Sequence, residues 1–254
     1  MPTSTVENYL RRLYLELRGR ADPLLPLGCL ARAMGVVPGT ATAMVKALAD
    51  AGLVRYEPRG GVGLTARGEQ LALHVVRRHR LMELFLVQVL GLDWSVVDAE
   101  AEDLEHAVSE RVLERIDALL GRPKVDPHGD PIPTSRGQIE EPRRISLADC
   151  PPGRSQRITQ VLDQDAAFLS FVQQQGLAPG AIVTVVRRQN AAAAVSIRVG
   201  QQAQVALGLS AAAKVLVEPA SAPRHLTSPR CHSARRGSRS HTLPRKRRPF
   251  PAGS

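Results

Sequence analysis

The stretch TATAMVKALADAGL, residues 40–53, runs directly into VRYEPRGGVGLTARG, residues 54–68. In the former, Met44, Val45, Leu48 and Leu53 repeat at helical spacing, and Gly52 is placed to cap the helix C-terminus. In the latter, the short runs VRYE and VGLT flank the turn PRGG and read as a β-hairpin. What precedes this helix and hairpin decides how the pair is read. PLGCLARAMG (26–35) is a short helix stopped at Gly35, and VVPG makes the turn into residue 40. Residues 3–18 form an amphipathic helix with Val6, Leu10, Leu13, Tyr14 and Leu17 on one face, and Ser4 and Glu7 have capping-box spacing.

Helix, helix, tight turn, helix, hairpin is the order of a winged helix-turn-helix. In that arrangement the helix at 40–51 enters the major groove and the hairpin tip reaches the DNA backbone. Thr40 and Thr42 can then hydrogen-bond phosphates or base edges, Ala41 and Ala43 can meet a thymine methyl, and Lys46 and Arg59 suit phosphates. The alternative is a helical protein with an ordinary hairpin, which has no reason to keep every element in this order.

The net charge of +10 looks like a nucleic-acid signal, but its location decides what it means. Beyond Glu218 there are nine Lys and Arg (Arg224, Arg230, Arg235, Arg236, Arg239, Arg245, Lys246, Arg247, Arg248) and no acid. Without them 25 basic residues face 24 acidic ones, so the basic character belongs to the tail and says little about the folded region. Cys29, Cys150 and Cys231 are far apart and form neither a thiolate metal motif nor a disulfide framework. No run approaches the length of a membrane span and no signal segment is visible, so the expected location is the cytoplasm with no membrane partner.

Downstream, a helical stretch over about 66–90 leads through GLDW to a second over about 95–120. Its apolar positions, among them Leu84, Phe85, Val112, Leu113, Ile116, Leu119 and Leu120, exceed the needs of one small domain and predict a helix-pair homodimer interface. GRPKVDPHGDPIPTSRGQIEEP (121–142) has no periodicity and reads as loop. From Ile145 short β-like runs (ISLADC, QRITQVL, IVTVVRR, AVSIRVG, AQVALG) surround one helix at about 165–176, as in a small antiparallel barrel. The expected fold class is α+β multidomain: a winged helix-turn-helix domain over 1–72, a helical metal-binding and dimerisation domain with linker over 73–142, an SH3-like β-barrel over 143–218, and a basic disordered tail over 219–254.

The segment AEAEDLEHAVSE (99–110) carries the chemistry. At 100° per residue Asp98, Glu102, Glu105 and His106 share an arc of about 100°, whereas Glu100, Asp103 and Glu110 point elsewhere. Like charges gathered on one face call for a counter-ion. His79 and Glu83, at i, i+4 on the preceding helix, can face this set if the two helices are antiparallel. Such a donor set contains carboxylate oxygens and imidazoles and no thiolate. It suits Mn²⁺ or Fe²⁺ and is compatible with Zn²⁺ or Co²⁺.

RRHRLMELFLVQVLGLDWSVVDAEAEDLEHAVSERV and DPHGDPIPT, together with ENYLRRLY, YEPRGGVGLT and LSFVQQQGLAPGAIVTV, resemble the diphtheria toxin repressor family of metal-dependent transcriptional repressors. The resemblance covers about residues 3–217. It implies a winged-helix reader, a metal-binding dimerisation domain and a C-terminal SH3-like domain of the FeoA type. The implied partner is a palindromic double-stranded operator, and the implied metal ligands are His79, Glu83, Glu102, Glu105 and His106. The family takes a further ligand from the first helix at the position of Asn8, where its manganese branch usually has aspartate. Many relatives have histidine where Asp98 stands. Asp98 is expected to donate oxygen to the metal or to orient a histidine. Manganese-responsive members tend to carry Glu at the position of Glu102, so the expected cofactor is Mn²⁺, with Fe²⁺ the alternative. Metal would favour the DNA-competent dimer, and a coupling of about 1–3 kcal/mol changes operator affinity roughly 5- to 150-fold. The rival from another class, a metal-dependent hydrolase, is disfavoured because the sequence has neither HExxH nor a nucleophile elbow.

Overall fold

A computed structural model describes residues 3–140, 144–202 and 204–220. The basic tail over 219–254 lies, from residue 221, outside the described residues. The N-terminal region contains α1 (Ser4–Leu17), α2 (Leu27–Ala33), α3 (Pro38–Asp50) and the antiparallel hairpin of β1 (Val54–Glu57) and β2 (Gly61–Leu64). Thr3 rather than Ser4 caps α1, its hydroxyl accepting from the Val6 amide at 3.4 Å. Glu7 is thereby freed from the expected capping box, and its buried carboxylate turns inward. α3 begins at Pro38, two residues before the threonine expected to open it, because proline at the first helical position loses no hydrogen bond. Leu10, Leu30, Val45, Leu48 and Val62 form one buried core beneath these elements.

α4 (Ala66–Gln88) starts at Thr65, whose hydroxyl accepts from the Gly68 amide at 3.1 Å. It is the element on which the others converge: α1 of the reader, α5 (Val97–Glu105) and α6 (Glu110–Leu119) all pack against it. The single helix expected over 95–120 is broken at residues 106–109. There Ser109 caps α6 by accepting from the Val112 amide at 3.4 Å, and His106 closes α5. A Ser at an N-cap offers its hydroxyl to an otherwise orphaned amide, which makes a restart at that residue favourable.

The C-terminal region is a six-stranded antiparallel sheet in the order β3 (Ile145–Ser146), β8 (Val215–Pro219), β4 (Ser155–Val161), β5 (Ile182–Gln189), β6 (Ala194–Val199), β7 (Gln204–Gly208). α7 (Ala166–Gln174) and the short α8 (Leu209–Ala213) complete it. Leu147, Ile158, Leu169, Val183, Ile197 and Val217 fill its interior, and Trp94, from the loop between α4 and α5, joins the same core.

The non-periodic segment 121–140 ties these regions together. Asp130 accepts hydrogen bonds from Arg18, which caps the C-terminus of α1, at 3.0 Å, from Arg80 of α4 at 3.1 Å and Gln160 of β4 at 2.9 Å, and from Gln164 at 3.3 Å. Gly129, at φ +88°, lies against β4 so closely that a Cβ would stand 1.9 Å from the Thr159 carbonyl oxygen. Gly129→Ala should therefore lower stability by about 2–4 kcal/mol in urea denaturation, through both the clash and the left-handed backbone.

Candidate metal centre and DNA-reading face

Burial of α4 on two sides places His79 and Glu83 inside the seam with α5. His79 Nδ1 donates to Glu105 Oε2 at 2.9 Å and Nε2 to Asp98 Oδ1 at 3.1 Å, with Glu83 Oε1 at 3.5 Å from Nε2. Burial by itself would depress the imidazole, but Asp98, Glu105 and Glu83 outweigh it and hold His79 well above its ordinary pKa. Asp98 is correspondingly held low by its hydrogen bond to His79.

The second group lies between α1 and α5. Asn8 Oδ1 faces His106 Nε2 at 2.7 Å, and Asn8 Nδ2 donates to Glu102 Oε1 at 3.1 Å. His106 Nδ1 meets Glu7 Oε2 at 2.7 Å, and the other Glu7 oxygen accepts from Arg78 at 2.8 Å. A carboxylate on one imidazole nitrogen fixes the ring and orients the other for a ligand. Arg11 completes the group, 3.2 Å from Glu102 Oε2 and 3.9 Å from Glu105 Oε1. All seven residues named from sequence are thus gathered along one seam, in two clusters bridged by the His79–Glu105 contact.

Two further residues, not singled out from the sequence, belong beside Glu83. The loop DPHGDPIP carries Asp126 and His128, both buried. His128 Nε2 donates to the Trp94 carbonyl at 2.9 Å, while the ring stacks on the Trp94 indole at 5.3 Å between centroids. In a neutral ring so bonded, Nδ1 presents a lone pair, and it lies 3.5 Å from Glu83 Oε1. Both Glu83 oxygens, Asp126 Oδ2 and His128 Nδ1 are buried without a hydrogen-bond partner. Acceptors facing acceptors in a dry site are costly unless a cation joins them. Glu83, Asp126 and His128 offer ligand atoms within 4.8 Å of one another, as do His79, Glu83 and Asp98. Asp126 is pushed well above the usual carboxylate range by burial and by the neighbouring Glu83 and Asp130. The signal that could have found this pair was Asp-x-His in a Pro- and Gly-rich loop, a pattern without the helical periodicity that exposed the other candidate residues. The Glu102 side of the seam opens into a cleft of about 890 Å³, lined by Asn8, His79, Glu83 and Glu102 and, from the barrel side, Asp163 and Asp165.

On the reader, α3 buries Ala41, Val45 and Leu48 and exposes Thr40, Ala43 and Lys46. Ala41 is fully buried, so it cannot meet a thymine methyl as expected; it sits on the core phase of the helix with Val45 and Leu48. The half-buried Thr42 donates its hydroxyl to the Pro38 carbonyl at 2.8 Å. Arg59 stands exposed at the hairpin tip.

A winged reader, a long buried helix bearing carboxylates and imidazoles, and a C-terminal sheet define a metal-dependent transcriptional regulator. Likeness to known proteins identifies the family. Residues 1–62 match the iron dependent repressor N-terminal DNA binding domain, 65–134 the iron dependent repressor metal binding and dimerisation domain, and 145–219 the FeoA domain. The iron-dependent repressor IdeR of Mycobacterium tuberculosis is 33% identical over 195 residues, covering 71% of this chain and 83% of that protein. The diphtheria toxin repressor of Corynebacterium efficiens is 32% identical over 197 residues, covering 73% of this chain and 84% of that protein. A solved manganese-dependent transcriptional repressor in complex with manganese superposes with a TM-score of 0.77 at 38% identity, over 84% of this chain and 99% of that one. The chain belongs to the diphtheria toxin repressor family of metal-dependent transcriptional repressors. No helix among the described residues is long and apolar enough to cross a membrane.

The raised pKa of His79 has a sign that can be measured. Its contribution to stability is fully present below its unfolded value of about 6.5 and is lost as pH rises through the higher folded value. In chelator the melting temperature of the protein should fall as pH rises above neutral, and His79→Gln should flatten that slope.

Proposed function

We propose that this repressor responds to Mn²⁺, held by Glu83, Asp126 and His128 with His79 and Asp98 alongside, and by Glu102, Glu105, His106 and Asn8 at the α1–α5 seam. The observation that carries the reading is the set of four buried unpartnered atoms on Glu83, Asp126 and His128. All are oxygen or imidazole donors, which suit a hard divalent ion, and neither Cys29 nor Cys150 is among them. Likeness to a repressor solved with manganese supports the same metal. The second reading is Fe²⁺, favoured by the iron-dependent relatives.

When bound, a divalent ion supplies positive charge to carboxylates that otherwise repel. The rest is done by the chain. Glu7 orients His106, Arg78 anchors Glu7 from α4, and Asn8 links α1 to α5, so the seam fixes where the reader sits on the dimer core. Thr40, Ala43 and Lys46 face outward for the groove, and Arg59 for the backbone. The exposed apolar residues Leu90, Leu104, Val112 and Leu119 supply a self-complementary surface for the homodimer that a palindromic operator requires. The cytoplasm is the compartment where such an operator would be met.

A site selected from random duplex DNA should be shifted by the protein with Mn²⁺ and released by chelator, with an affinity change of roughly 5- to 150-fold. Equal binding in both conditions would sink the proposal. Glu83→Gln should lose most Mn²⁺ binding in calorimetric titration with the fold retained. Lys46→Ala should weaken binding to all sequences alike and reduce the salt slope by about 1, which separates a phosphate contact from base readout.

A further inference from the structure

The two acidic clusters solve their charge problem differently. Around Glu83, four buried ligand atoms have no hydrogen-bond partner. Arg80 comes within 3.5 Å of Asp126, but its hydrogen bonds go to Asp130 and to the Pro131 carbonyl. Around Glu102 the donors are engaged except Glu105 Oε1, which is buried without a hydrogen-bond partner and has His106 Nε2 at 3.4 Å and Arg11 at 3.9 Å. Asn8 Oδ1 is taken by His106, Glu102 Oε1 by the Asn8 amide, Glu105 Oε2 by His79, and His106 Nδ1 by Glu7. The cation of this cluster is Arg11, one turn after Asn8 on α1, with its guanidinium 3.2 Å from Glu102 and 3.9 Å from the fully buried Glu105.

We propose that Arg11 is a tethered counter-cation for the Glu102–Glu105 pair, closing the α1–α5 seam without metal and raising the free metal concentration at which that cluster takes an ion. The physical basis is competition. A guanidinium and a divalent ion both neutralise the same two carboxylates, and the guanidinium is carried by the chain at a high local concentration. The neutral Asn8 adds no further negative charge that would favour the ion over the arginine. An ion entering here has to displace Arg11 and to break the Asn8–His106 and Asn8–Glu102 hydrogen bonds. At the Glu83 cluster an ion displaces no hydrogen bond from the four unpartnered atoms. The chain thereby has two different thresholds along one seam, and Arg11 sets the higher. This inference rests on the metal reading given above.

The test is calorimetric titration of the metal-free full-length protein with MnCl₂. The wild type should show a tight component that Glu83→Gln removes and Glu102→Gln leaves in place. Arg11→Met should add a component that Glu102→Gln abolishes, at least about ten-fold tighter than any Glu102-dependent binding in the wild type. Arg11→Lys, which keeps the charge, should behave as the wild type. Thermal melts supply a second readout: in chelator Arg11→Met should melt lower than the wild type, and Mn²⁺ should raise its melting temperature by the larger margin. A wild-type Glu102-dependent site as tight as that of Arg11→Met overturns the inference, as does an Arg11→Lys protein that behaves like Arg11→Met. Gain of a site in Arg11→Met with no tight Glu83-dependent component in the wild type upholds Arg11 and removes the Glu83 cluster from the metal reading. Absence of Mn²⁺ uptake by every variant overturns both.

Discussion

Glu83 and Glu105 are buried on facing helices, and His79 lies between them. An ionised carboxylate withdrawn from water is tolerated only beside a compensating charge or a set of donors. Much of the surrounding arrangement follows from that requirement. His79 donates to both sides, Arg11 reaches in from α1, and Glu7 and Arg78 hold the ring of His106. These groups come from the reader, from the long helix and from the helix after it. Compensation of buried charge is therefore also what joins the domains. An apolar seam of the same area would pack as well, but it would have no means of registering the concentration of an ion.

The regions legible in the sequence are those where periodicity or turn chemistry determines structure. The helix at 40–53 and the hairpin after it follow from apolar spacing and the PRGG turn. The shared arc of Asp98, Glu102, Glu105 and His106 follows from helical geometry, and the partnership with His79 and Glu83 from antiparallel packing. Asp126 and His128 escaped because no period runs through a Pro- and Gly-rich loop; their position depends on Trp94 and on the contact of Gly129 with β4. The break at 106–109 was missed because both segments carry helical spacing, and only Ser109 marks the restart. Ala41 stands four residues before Val45 and seven before Leu48, so the apolar stripe of the helix puts it on the core face, and the short Thr-Ala alternation gives no independent reason to expose it. Arg11 was invisible as a functional group because a surface-type residue on an amphipathic helix reads as solvated until its partner helix is in place.

The family members that resemble this chain carry names for different metals, and the structure offers a physical reason why such a fold can be retuned. The residues of the proposed metal site lie on several segments of the chain. α1 contributes Asn8 and the counter-cation Arg11, α5 contributes Asp98, Glu102 and Glu105, and the 126–130 loop contributes Asp126 and His128. A change of donor hardness or of countercharge at one position leaves the packing of α4 intact.

Asp130 has a consequence of another kind. One carboxylate gathers Arg18, Arg80, Gln160 and Gln164, so the reader, the long helix and the C-terminal sheet share a single acceptor. Opening any one of these partners leaves the others with a less satisfied buried charge. The three regions are then energetically coupled in unfolding, so that loosening the barrel also loosens the anchorage of the first helix's C-terminal end and of the long helix through one shared side chain.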